Sequence, residues 1–236
     1  GRPGPGLTTP LGPQRLAGDR AAVTRRIRAC LAELGGTCRL EGRTLYLVGG
    51  AWRALAKAQM ARADYPLKVL HEYTLAAEEA ESLGDWVARN RADRLAALPG
   101  VSANRVESMP LTGRLLVELV RAFRPGRVSV SAFGLREGVC LERIDPALRG
   151  EDPLLAACRE QERRRARAPG FGAELGPWVL RLLAPEDPEE ARLILAAALL
   201  SEVNWRTHPD YREQGCWETV TRSSMTDLGH RGRVFL

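Results

Sequence analysis

Lysine is nearly absent: of 35 Lys and Arg residues, only Lys57 and Lys68 are lysines. The net charge of +6 and the pI of about 9.4 therefore rest on arginine. A basic chain favours anionic partners, although an Arg, Ala, Leu and Gly bias also arises from codon usage. Histidine is scarce, with three residues, and the five cysteines contain no CxxC pair. Their odd number and wide dispersal argue against a zinc ribbon or a disulfide framework and suit reduced thiols in the cytoplasm. The longest apolar run, residues 193–200 (LILAAALL), is far too short to cross a bilayer. The opening GRPGPGLTTPLGPQRL has no basic segment leading into an apolar one, so it does not read as a secretory signal. It has no initiator Met either, and the expectation is a true start further upstream. Also missing are GxxxxGK[ST], GxSxG and HExxH, the signatures of P-loop, α/β-hydrolase and zincin chemistry. No pair of carboxylates suggests an acid/base division, and no catalytic or metal-ligating residue is assigned.

What is present is an ordinary globular composition, 44% hydrophobic and 27% charged over 236 residues, enough for one large domain or two small ones. Val23, Ile27, Leu31 and Leu34 predict a helix over 18–34, ended by Gly35 and Gly36. TLYLV at 44–48 reads as a strand stopping at Gly49-Gly50, and AWRALAKAQMARA after it as a helix. A second strand is predicted within LKVLHEYTL after Pro66, then a helix over 76–90. After Gly100 and Val101 comes a further helical run. LTGRLLVELVRAF comes after Pro110, with Leu111, Leu115, Leu119 and Phe123 spaced by four. Pro125-Gly126 breaks it, and RVSVSAF at 127–133 alternates as a half-buried strand. From residue 152 only helices are predicted. The expected organisation is an α/β domain over 1–148 and an all-α domain over 149–236, divided near Asp145-Pro146 to Asp152-Pro153.

Three stretches could carry chemistry. LYLVGGAWRALA ends a strand in Gly49 and Gly50 and enters a helix, exposing backbone N–H groups at a positive helix end; taken alone, these residues read more simply as a tight turn serving packing, since short glycine motifs recur by chance. SAFGLREGVCLE places Gly134, Arg136, Glu137 and Gly138 directly after a strand, where open α/β sheets bind ligands. Arg136 could clamp a phosphate, or pair with Glu137 to tie the turn. WRTHPDYR brings His208 and Asp210 together, but without supporting ligands the stretch reads as a helix boundary at Pro209. The basic run ERRRARA at 162–168 could contact nucleic acid, yet no aromatics interleave with it and a solvated helix face accounts for it.

Five blocks in order, TTPLGPQRL (8–16), LYLVGGAWRALAKAQM (45–60), RVESMPLTGRLLVELV (105–120), VSVSAFGLREGVCLE (128–142) and WRTHPDYR (205–212), resemble the exopolyphosphatase/guanosine-pentaphosphate phosphatase family. The resemblance implies part of an actin-like, ribonuclease-H-type α/β domain followed by a helical domain related to HD phosphohydrolases. It implies removal of the terminal phosphate from polyphosphate or guanosine pentaphosphate with Mg²⁺, in a cytoplasmic enzyme that is a homodimer when full length. It implies no membrane partner and makes nucleic acid an unlikely one. The family's aspartate phosphate loop, catalytic glutamate and acidic glycine-rich loop have no counterpart here, so the chain reads as an interior piece, inactive alone, with no Mg²⁺ ligands of its own. A non-catalytic polyphosphate- or nucleotide-binding module is the alternative. The residues matched for phosphate or nucleotide binding are Gly49, Gly50, Gly113, Gly134, Arg136 and Glu137. The His-Asp doublet of HD enzymes is replaced by Ser201-Glu202.

Overall fold

The computed structural model describes residues 8–12, 19–35, 41–223 and 225–236, and divides into two compact units, 1–134 and 135–236. The turn glycine Gly36 and part of the TTPLGPQRL block lie outside the described residues.

The first unit is built on a three-stranded sheet. β1 (Thr44–Val48) and β3 (Arg127–Ser131) run parallel, with Val48 opposite Ser131. β2 (Tyr73–Ala76) lies antiparallel on the other side of β3, with Tyr73 opposite Val130. The second strand is thus shorter than LKVLHEYTL suggested. Residues 67–70 are irregular instead and 71–72 form a turn, with Glu72 in the left-handed region at φ 59°. Five helices complete the sheet's layer: α2 (Gly50–Arg62), α3 (Ala77–Arg89), α4 (Ala92–Ala96), α5 (Ala103–Val106) and α6 (Met109–Phe123). α1 (Arg20–Gly35) precedes β1.

α6 is the central helix. Pro110 favours its first turn, and Arg124, left-handed at φ 46°, ends it before Pro125-Gly126. One face, with Leu116 and Val120, joins Leu47, Leu55, Leu83, Val87, Val128 and Val130 in the main core. The spacing-of-four stripe faces elsewhere: Leu115 and Phe123, flanked by Leu111 and Leu119, pack with Val23, Ile27 and Leu31 of α1. A helix apolar on two faces in this way is one buried between layers. Arg28 of α1 adds a bidentate pair to the buried Glu118 of α6, at 2.7 and 3.1 Å.

The second unit is helical throughout its described residues: α7 (Leu135–Arg143), α8 (Pro146–Arg149), α9 (Pro153–Arg165), α10 (Phe171–Leu183), α11 (Pro188–Leu200), α12 (Pro209–Arg222) and α13 (His230–Phe235). Asp145-Pro146, Asp152-Pro153 and Asp187-Pro188 each start a helix. The aspartate carboxylate accepts a backbone N–H of the first turn, and proline's fixed φ fits the first helical position. The division between the units falls at Gly134, earlier than the Asp-Pro pairs that suggested it. α7 and α8 bury no side chain. The core of the second unit gathers Leu154, Cys158, Leu193, Ala196, Leu199, Val203, Val220 and Leu228.

Candidate phosphate-binding site

Parallel strands β1 and β3 end side by side, and each leads into a glycine. Gly49 holds φ 125° and ψ 168°, a backbone state closed to residues with a Cβ. It caps α2 without a side chain, and no acidic residue stands in that helix's first turn. The first N–H groups of α2, beginning at Gly50, are thus left at a positive helix end. After β3, Ser131 Oγ donates to the Phe133 carbonyl at 2.9 Å and accepts the Phe133 N–H at 3.1 Å, curling the chain towards Gly134. Phe133 in turn meets His71 edge to face at 4.5 Å.

A residue that the spacing of motifs did not single out completes this corner. A Cβ added to Gly50 would lie 3.2 Å from Arg105 Nη2 and 3.4 Å from its Cζ, so the guanidinium rests directly against the start of α2. Arg105 is exposed, and among the described residues its side chain makes no hydrogen bond or ion pair. Helix end and guanidinium therefore point positive charge at one place, accessible to an anion. The sequence signal existed, since Arg105 opens the RVESMPLTGRLLVELV block, but nothing in that block says that it reaches the diglycine turn.

The six matched residues do not share one environment. Gly49 and Gly50 stand beside the loop that ends in Gly134, all in the first unit. Gly113 sits inside the crossing of α6 with α3, where a Cβ would come within 2.6 Å of the Gly84 carbonyl oxygen and 3.1 Å of the Ala88 nitrogen. Helix packing alone demands glycine there. Arg136 and Glu137 occupy the first turn of α7 in the second unit, and both are exposed.

The other sequence candidates have structural occupations. His208 Nδ1 accepts the Asp210 N–H at 3.3 Å, capping α12. In the basic run, Arg163 and Arg164 pair with Glu160, while Arg165 donates to Gln161 and Asn204. Glu202 accepts the Ala168 N–H at 3.2 Å. Among the described residues, no three His, Cys, Asp or Glu side chains gather where they could hold a metal ion, and no helix is long and apolar enough to cross a membrane.

Residues 10–146 match the family model described as the Ppx/GppA phosphatase family. The chain belongs to the Ppx/GppA phosphatase family. Residues 154–236 match a second model, described as exopolyphosphatase, C-terminal. The gap between the two models falls at the Asp-Pro pairs, so α7 belongs by sequence to the phosphatase model and by contacts to the second unit.

No curated protein matches the chain significantly. Among solved structures, the type II variant of the Aquifex aeolicus Ppx/GppA phosphatase is 21% identical. That match covers 54% of this chain and 42% of that one, with a TM-score of 0.43. A second Aquifex aeolicus structure of the family is 18% identical over 56% of this chain and 43% of that one, also with a TM-score of 0.43. The chain spans less than half the length of these two structures. The family assignment rests on the family models.

Proposed function

We propose that this chain supplies part of the phosphate-receiving wall of an exopolyphosphatase or guanosine-pentaphosphate phosphatase, with the water-activating carboxylate provided outside it. The carrying observation is the Arg105 guanidinium set against Gly50 at the N-terminus of α2. A terminal phosphate placed there would be held by the first N–H groups of α2 and by the planar fork of Arg105. Both groups also stabilise the negative charge that builds on the departing phosphate as water attacks in line. Glycine at 49, 50 and 134 lets the anion approach the backbone closely. Magnesium, which the family resemblance implies, has no fitting ligand group of three His, Cys, Asp or Glu among the described residues. The helical unit is read as related to the HD phosphohydrolases, with Ser201-Glu202 in place of the metal doublet.

Calorimetric titration of the purified 236-residue chain with inorganic tripolyphosphate tests this reading. Arg105→Ala should weaken binding roughly tenfold, the scale of one lost charge-assisted contact. Arg105→Lys should restore only part, because the fork geometry is lost. Binding indifferent to Arg105 would overturn the site. The chain alone should release no phosphate from polyphosphate; release abolished by Arg136→Ala would show instead that it is a complete catalyst.

A further inference from the structure

The basic run at 162–168 contains no aromatic residue, but the fold brings one to it. Glu160 occupies Arg163 and Arg164, and among the described residues Arg165 is left without a carboxylate partner. The turn that follows α11 lies against this end of α9. Trp205 Nε1 donates to the Arg165 carbonyl at 3.1 Å, and Arg165 Nη2 donates to the buried Asn204 at 3.3 Å. Asn204 in turn donates to Thr219 Oγ1 of α12 at 3.1 Å, which fixes the turn between the two helices. The Trp205 ring is 38% exposed, and the Arg206 guanidinium sits over it, 5.2 Å from the ring centroid. Arg212 reaches back from α12 and donates to the carbonyls of Trp205 at 3.1 Å and Thr207 at 3.4 Å. Its neighbour Tyr211 presents a second exposed ring.

Arg165, Arg206 and Arg212 are all exposed, and among the described residues none of them makes an ion pair. The carboxylate of the same turn, Glu202, is taken up by the Ala168 N–H at 3.2 Å. Three uncompensated guanidinium groups therefore surround one exposed indole. Cations of this kind follow a phosphate backbone, and an aromatic face takes any base by stacking. Arg206 is held over the ring by cation–π attraction, so it can yield that face to a base or stack on the base in its turn. A polyphosphate would use the cations and leave the ring idle, whereas a duplex keeps its bases stacked on one another. We infer that Arg165 and the segment 205–212 form a binding surface for single-stranded nucleic acid, a partner that the family resemblance alone does not suggest. The surface lies wholly within the second unit and does not rest on the phosphate-binding corner of the first.

Fluorescence anisotropy of a labelled oligouridine of about 12 nucleotides, titrated with the full 236-residue chain, tests the inference. Far-UV circular dichroism checks that each variant stays folded. Affinity should fall with salt at a log–log slope of about −2, as three phosphate contacts on a single strand require. Trp205→Ala should weaken binding roughly tenfold, the scale of one lost base stack. Trp205→Phe should recover most of that loss, because a ring is kept. Arg206→Ala, a change at the surface, should make the salt slope shallower by about 0.7. Arg105→Ala should leave the oligonucleotide unaffected, so this surface and the phosphate corner are judged separately. Equal binding of an abasic oligomer, of a duplex or of inorganic polyphosphate at the same phosphate concentration would reduce the patch to an unspecific basic face and overturn the proposal. Indifference to both Trp205→Ala and Arg206→Ala, or loss on Arg105→Ala, would overturn it as well.

Discussion

Gly84 of α3 and Gly113 of α6 cross backbone to backbone, and a Cβ on either would stand 2.6 Å from the carbonyl oxygen of the other. The contact sets how closely the two helices approach beneath the sheet. Gly113→Ala or Gly84→Ala must push the helices apart, at a cost of about 1–3 kcal/mol of overpacking. Urea unfolding checks this. Tripolyphosphate affinity, measured on the fraction still folded, should be unchanged for Gly113→Ala, whereas Gly49→Ala should lower both stability and affinity. A Gly113 variant that keeps its stability but loses the anion would place that glycine at the ligand instead.

Arg192 of α11, only 14% exposed at its side chain, gathers Asp152 at 2.5 Å, Asp227 at 2.6 Å and Glu189 at 3.0 Å. Burial pushes the Asp152 carboxyl up, but the Arg192 hydrogen bond, the Leu155 N–H and the Arg192 charge outweigh it and hold the group below its ordinary value. A carboxyl depressed in the folded state contributes stability above its unfolded value, and that stability is lost as pH falls through the folded one. Arg192→Met should therefore cost about 2 kcal/mol at neutral pH. The difference from the unmodified chain should shrink below about pH 4. Denaturant midpoints across that range are the measurement; a pH-independent gap would deny the carboxylate its part.

Glu162 is buried at the end of α9 and spends one oxygen on two backbone groups, the N–H of Gly170 at 3.2 Å and of Gly172 at 2.7 Å. It thereby closes the start of α10, whose N-cap Gly170 is left-handed at φ 100°. Glu162→Ala should destabilise the chain by about 2 kcal/mol, since it strands the buried Gly172 donor and takes the partner from the part-buried Gly170 N–H. Glu162→Gln, which still offers a carbonyl oxygen, should recover much of that loss. Thermal melts distinguish the two variants.

Cys158 lies fully buried beside the Asp152 cap, and burial first, then the Asp152 charge, pushes its thiol up to about 12. A thiol reacts as its thiolate. Ellman's reagent should therefore label the exposed Cys140 and Cys216 in the native chain and leave Cys158 untouched until the chain unfolds. Rapid native labelling of Cys158 would mean that the core around Leu154 opens readily.

Much of this protein was written locally. β1 and β3 end where their glycines and serine stand, α6 begins at its proline, and the helices of the second unit start at Asp-Pro pairs because one residue supplies both the acceptor and its placement. The diglycine turn could be read as a candidate anion cradle for the same reason: its conformation at Gly49 depends on the absence of a Cβ. Other features depended on residues remote in sequence. Arg105 reaches Gly50 only because α5 packs near the start of α2. Gly113 is a packing glycine because Gly84 of another helix crosses it. The spacing-of-four stripe of α6 faces α1 because the other face of the same helix is taken by the sheet. Periodicity tells a helix which of its sides are apolar, but which neighbour covers each side is settled by close packing of the whole unit.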